Sequence, residues 1–169
     1  MSRELIYYTI LFVAMLLLQA LICNHIVLFN VAVPIIFIYF IIRLPMSLST
    51  NWVLTLSFLI GFCVDIFSDT PGMNALACTI FAIARRKIFT LYNSRDEHHA
   101  EIVPSISTLG FATYCKYLLT TTLCYCTLIF LIEYFSFSHL PMMLLKIVSS
   151  SVLTFLLLLG IDSLMARQS

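Results

Sequence analysis

Asp65 and Asp69, four residues apart, are the nearest thing in this sequence to an acid–base pair. Two carboxylates whose surroundings push their proton affinities apart can drive hydrolysis, as in an aspartyl protease. Here no second aspartate motif supplies a partner element, and carboxylates at this spacing, where a helix gives way to a turn, serve as caps and turn residues. His98, His99 and Glu101 raise the question of a metal centre. Adjacent histidines diverge and no further ligand pattern follows, so these residues read as a solvated loop. Five of the six cysteines (Cys23, Cys63, Cys78, Cys115 and Cys124) lie inside apolar runs, and Cys126 is two residues from its neighbour. Side chains two apart do not share a helix face, which leaves no zinc or disulfide framework to read. The chain contains no glycine-rich phosphate cradle, nucleophile elbow or HExxH. The residues therefore predict no enzyme, no cofactor and no metal site.

The remaining candidates are polar and small side chains embedded in apolar runs, where an unpaired polar group is costly in lipid. Thr113, Lys116, Thr120, Cys124 and Thr127 recur at steps of three and four and form one helical stripe. That stripe is expected to face protein or water, through helix packing or as the lining of a transport cavity. A later run adds Lys146, Ser149, Ser150, Ser151 and Thr154. Ser57, Gly61 and Asp65 recur every four residues, giving a small, polar face that ends in a carboxylate. Asp65 is expected to be a buried structural acceptor for the turn that follows, which contains Pro71 and Gly72 and reaches Asn74. Ala75, Cys78 and Ala82 supply a second small-residue surface just beyond it.

The elements that must hold these residues follow from composition. Of the 169 residues, 62% are hydrophobic and 10% charged, too few charges to clothe a soluble globule of this size. A net charge of +1 gives no nucleic-acid footprint, and five prolines with four glycines are too sparse for a linker. A membrane-spanning helix needs about 20 apolar residues. Six runs have that scale: Leu5 to Cys23, Ile26 to Ile42, Trp52 to Phe67, Met73 to about Leu91, Phe111 to Ile132, and Leu144 to Asp162. The first follows Arg3 but lacks a small-x-small cleavage site and leads almost at once into another span, so it is expected to stay as an anchor. The sequence thus predicts an all-α integral membrane protein, one transmembrane domain over residues 1–169, built as a six-helix bundle.

Basic residues in short loops remain cytoplasmic. With the amino terminus inside, Arg3, Arg43, Arg85, Arg86, Lys87, Arg95 and Arg167 all fall on one side, while Lys146 leans outward and Lys116 lies within the fifth run. Both termini are expected to be cytoplasmic. Tyr7, Tyr8, Trp52, Tyr92 and Tyr134 stand near run ends, where amphipathic rings favour the headgroup layer.

The stretch from Gly61 to Ala84, GFCVDIFSDTPGMNALACTIFAIA, resembles the signature region of the rod shape-determining MreD family. There a glycine-containing helix ends in an aspartate and is followed by a short turn, a glycine, an asparagine and an alanine-rich helix. The matching positions are Gly61, Asp65, Pro71, Gly72, Asn74, Ala75 and Ala77, with Phe62 where the family has leucine. The resemblance implies a non-enzymatic protein of the bacterial cytoplasmic membrane, working in cell elongation and cell-wall (peptidoglycan) organisation. Its implied partners are a bitopic MreC-like protein, with RodA, a class B penicillin-binding transpeptidase and the MreB filament as further members of the elongasome. The family's arrangement is thought similar to the substrate-binding components of energy-coupling-factor transporters, and this implies the alternative function, a vitamin-like small-molecule binding or transport subunit.

Overall fold

The computed structural model describes residues 2–21, 32–92, 103–133 and 140–168. Within them the chain forms α1 (Ser2–Leu21), α2 (Ile38–Arg43), α3 (Thr50–Ser68), α4 (Met73–Tyr92), α5 (Ile106–Leu109), α6 (Phe111–Glu133) and α7 (Leu140–Gln168). Three helical stretches, Thr50–Ser68, Phe111–Glu133 and Pro141–Leu164, are long and apolar enough to cross a membrane, and Ile6–Leu21 is a shorter apolar helix. The architecture is all-α and suits a helical membrane protein. The outward faces of α3 and α7 carry large apolar side chains, among them Phe62, Ile66, Val152 and Leu156. Such continuous apolar cover fits lipid rather than water.

Local chemistry explains the boundaries. α3 ends where Asp69 takes a left-handed conformation (φ 52°) and its N–H reaches back to the Asp65 carbonyl. Gly72, at φ +80°, then completes the reversal into α4. The one-turn α5 is held by a reciprocal capping box between Ser105 and Thr108, and Gly110 (φ +78°) separates it from α6.

The second apolar run is where the structure departs from the six-helix expectation. Within the described residues, 32–37 are not helical and only Ile38–Arg43 forms a short helix. Pro34 explains the break, since it has no N–H to donate and disfavours the helical conformation of the residue before it. Among the described residues the bundle has five long helices, the one-turn α5 and this broken element.

α1 lies beside α3, α3 beside α4, α4 beside α6 and α6 beside α7. The broken element runs through the interior of this arc, and Phe37 to Ile42 are almost completely inaccessible. Aromatic rings lock it in place: Phe37 meets Tyr125 edge-to-face at 5.8 Å, and Phe40 meets Phe12 at 5.2 Å. One contiguous apolar core results, centred on the residues that sequence reasoning assigns to an ordinary span.

Candidate functional site

At the α3–α4 corner, Asp65 is 4% exposed. Its Oδ1 accepts hydrogen bonds from the Asn74 N–H (2.9 Å), the Asn74 side-chain amide (3.0 Å) and the Thr70 hydroxyl (2.9 Å), while Oδ2 accepts from the Ala75 N–H (2.9 Å). One carboxylate, supplied by the preceding helix, thereby caps the free donors at the start of α4. Asn74 passes the network on, for its side-chain oxygen accepts from the Tyr125 hydroxyl (3.1 Å), which also lies 3.7 Å from the Cys78 sulfur. Gly61 makes the corner possible. A Cβ there would sit 2.7 Å from the Ala75 Cα and the Asn74 carbonyl oxygen, both backbone atoms.

The small-residue surfaces singled out in the sequence meet each other here. Ser57, Ala75, Cys78 and Ala82 are all buried, and the Ser57 hydroxyl has no hydrogen-bond partner among the described residues. Ser57, Ala75 and Cys78 are consumed inside the bundle, whereas Ala82 also lines a groove between the α2–α3 connection and α4. The α6 stripe is only partly covered by the bundle. Lys116 is exposed and Thr113, Thr120, Cys124 and Thr127 are half-buried, while the inward face of α6 is made by Tyr114, Tyr117, Thr121, Tyr125 and Cys126. Thr120 and Thr127 donate to the Lys116 and Leu123 carbonyls of their own helix, and the Thr120 hydroxyl also meets the Tyr92 hydroxyl of α4 at 2.7 Å.

The irregular segment 32–37 is satisfied from two sides. The Val33 N–H donates to the Ser150 hydroxyl oxygen (3.0 Å) and the Ile35 N–H to that of Thr154 (3.1 Å), both on α7. From α1, Gln19 accepts from the Ile36 N–H (2.9 Å) and donates to the Pro34 carbonyl (3.1 Å). Non-helical backbone at membrane depth is tolerated only when protein supplies its partners in this way. At its other end the element is capped by Arg85 of α4, 2% exposed, whose guanidinium donates to the Ile41 carbonyl (2.7 Å) and to that of Leu44. A cation on the last carbonyls of a short helix complements the helix dipole.

Asp162 of α7 ties the same element down again. Its Oδ1 accepts from the Tyr39 hydroxyl (2.7 Å) and lies 3.3 Å from Arg43 Nη1, and its Oδ2 accepts from the Ile106 N–H (3.3 Å). Sequence reasoning missed Gln19, Arg85 and Asp162 as structural groups. Their signal was available in principle, because each is a polar side chain in or beside an apolar run.

His98, His99 and Glu101 lie outside the described residues, and among the described residues no three His, Cys, Asp or Glu side chains are grouped as metal ligands. Several concavities are formed by the described residues. A cavity of about 480 Å³ at the α3–α4 corner is lined by Gln19, Phe37, Asp69, Asn74 and Glu133. A wholly different groove of about 510 Å³ between α1, α2 and α3 is lined by Tyr8, Phe12, Phe40, Trp52, Leu56 and Leu59. A third, of about 400 Å³, lies between the α2–α3 connection and α4, where Arg85, Arg86 and Lys87 stand. Comparison with protein-family models, curated proteins and solved structures returned no match.

Proposed function

We propose that this protein is a non-enzymatic scaffold of the bacterial cytoplasmic membrane that holds the transmembrane helix of an MreC-like bitopic partner within the cell-elongation machinery. The proposal joins the MreD-like segment from Gly61 to Ala84 to one structural observation, the apolar groove between α1, α2 and α3. This groove is open, lined by large apolar and aromatic side chains, and flanked by Trp52, which is 63% exposed. In lipid, helix association rests on close packing and hydrogen bonds rather than on a hydrophobic drive. A preformed concavity between two helices offers a partner helix that packing area, and the internal small-residue faces do not. RodA, the transpeptidase and MreB belong to the same assembly in this reading.

Both termini are cytoplasmic in this proposal. Arg43 and Arg85 lie at one end of the bundle, joined through the α2 carboxyl end, and the Asp65 corner lies at the other. Reporter fusions at residue 93 and at the carboxyl terminus should read cytoplasmic and one at residue 137 external. An external signal at residue 93 reverses the orientation.

The test of function is co-purification from membranes. Leu59→Trp fills the groove from an exposed position and should reduce recovery of the MreC-like partner by about ten-fold or more. Val152→Trp, on the exposed face of α7, should leave recovery unchanged. Equal recovery in both variants, with normal cell width after depletion, defeats the scaffold reading. The corner cavity favours the alternative, a small-molecule binding subunit, because polar and aromatic groups converge there. Two of those polar groups, Gln19 and Asn74, are already committed to internal hydrogen bonds. Specific uptake of a vitamin-like ligand would promote that reading.

A further inference from the structure

The groove between the α2–α3 connection and α4 has two unlike walls. One is apolar and includes Val53, Ala82 and Ile83; the other is cationic, made by Arg85, Arg86 and Lys87. Among the described residues no carboxylate lines it, and the one ion pair there, Arg43–Asp162, lies elsewhere. Arg85 is immobilised by the carbonyls of Ile41 and Leu44, so its charge is fixed at the floor of the groove. Arg86 and Lys87 are exposed at the rim.

A second feature adds to this positive field. α3 begins at Thr50, which also lines the groove, and its N-cap residue Ser49 makes no side-chain cap. The first N–H groups of a 19-residue helix, with the positive end of its dipole, therefore open beside the three cations. Trp52, in the first turn of α3, is exposed, as befits an indole at the headgroup layer. The groove thus presents a fixed positive charge at headgroup depth and an apolar wall running into the hydrocarbon.

We infer that this groove is a binding site for an anionic phospholipid, with the phosphate held by Arg86, Lys87 and the α3 amino terminus and an acyl chain against Val53, Ala82 and Ile83. Charge complementarity selects the occupant. A neutral lipid gains nothing from three cations that no carboxylate neutralises among the described residues, and a partner helix of ordinary apolar composition would bring them no counter-charge. A juxtamembrane basic residue strengthens anionic-lipid binding by several-fold, so losing two weakens it by about thirty-fold.

The experiment uses the full-length protein, delipidated in neutral detergent and titrated with phosphatidylglycerol or phosphatidylcholine, with bound lipid counted by native mass spectrometry. One phosphatidylglycerol should bind about thirty-fold more tightly than phosphatidylcholine. Arg86→Gln combined with Lys87→Gln should abolish that preference, while Arg86→Lys combined with Lys87→Arg should retain it. Both residues are exposed, and the charge-preserving variant controls for any damage to the fold. Equal affinity for the two lipids, or a preference that survives the double glutamine variant, overturns the inference. Displacement of phosphatidylglycerol by millimolar inorganic phosphate would also overturn it, by showing a free-anion site in place of a lipid site.

Discussion

Asp162→Ala should destabilise the folded protein by about 3 to 5 kcal/mol, the cost of removing one partner from a buried ion pair. Three donors converge on this carboxylate from two elements: the Tyr39 hydroxyl and Arg43 on α2, and the Ile106 N–H at the start of α5. Truncation leaves a guanidinium without its counter-charge and a phenol and an amide without their acceptor. The Arg43 side chain is 15% exposed and retains some access to polar surroundings, so the loss should fall at the lower end of the range. Asp162→Asn keeps a hydrogen-bonding side chain but removes the charge, and should cost less than alanine. The measurement is the fraction of monodisperse protein surviving a heating series in detergent, with wild type, Asn and Ala in that order. An alanine variant as heat-resistant as wild type would show that the network contributes nothing to the fold.

Gly61→Leu should prevent the α3–α4 corner from closing. Added bulk in a packed core usually costs about 1 to 3 kcal/mol, because neighbouring side chains can yield. Here the first obstructing atoms are the Ala75 Cα and the Asn74 carbonyl oxygen, at 2.7 Å from the first added carbon, and backbone can yield only by moving α4. The penalty should exceed that range, and even Gly61→Ala should be felt. Separation of the helices also draws the Ala75 and Asn74 N–H groups away from Asp65, so the steric and polar losses are coupled. Asp65→Ala removes the acceptor alone and should cost about 1 to 3 kcal/mol per donor stranded in the interior. The yield of folded protein in membranes should therefore fall for both, with Gly61→Leu no better than Asp65→Ala. Normal accumulation of Gly61→Leu would mean that the helices do not approach at this point.

These two sites hold opposite ends of the bundle, and the broken element is fastened between them. Asp162 and Arg85 anchor α2, while Gln19, Ser150 and Thr154 hold the irregular residues that precede it. In the proposed scaffold, this interior is a rigid support for the open faces, and partner and lipid meet it at two grooves that share Leu48.

Much of this was legible in the sequence because it depends on neighbours along the chain. Apolar runs bounded by polar or turn residues mark α1, α3, α4 and α6 to within about three residues, as the burial drive of each helix is set by its own composition, while α7 extends beyond its run, Leu144 to Asp162, at both ends. The Gly61–Asp65 spacing, Pro71, Gly72 and Asn74 mark a corner for the same reason, since donor and acceptor lie within ten residues of each other. Tertiary structure decided the rest. The irregular course of residues 32–37 required acceptors on Ser150 and Thr154, 117 and 119 positions from the N–H groups they satisfy, and no local pattern encodes such a pairing. Likewise Arg85 is buried while its neighbour Arg86 is exposed, because the carboxyl end of α2 arrives on only one of their two faces. The small-residue faces could have served a partner or the bundle, and only the position of α3 against α4, and of α4 against α6, shows that the bundle uses most of them. Composition determines that a helix wants a neighbour, but which neighbour it receives is settled by the whole chain at once.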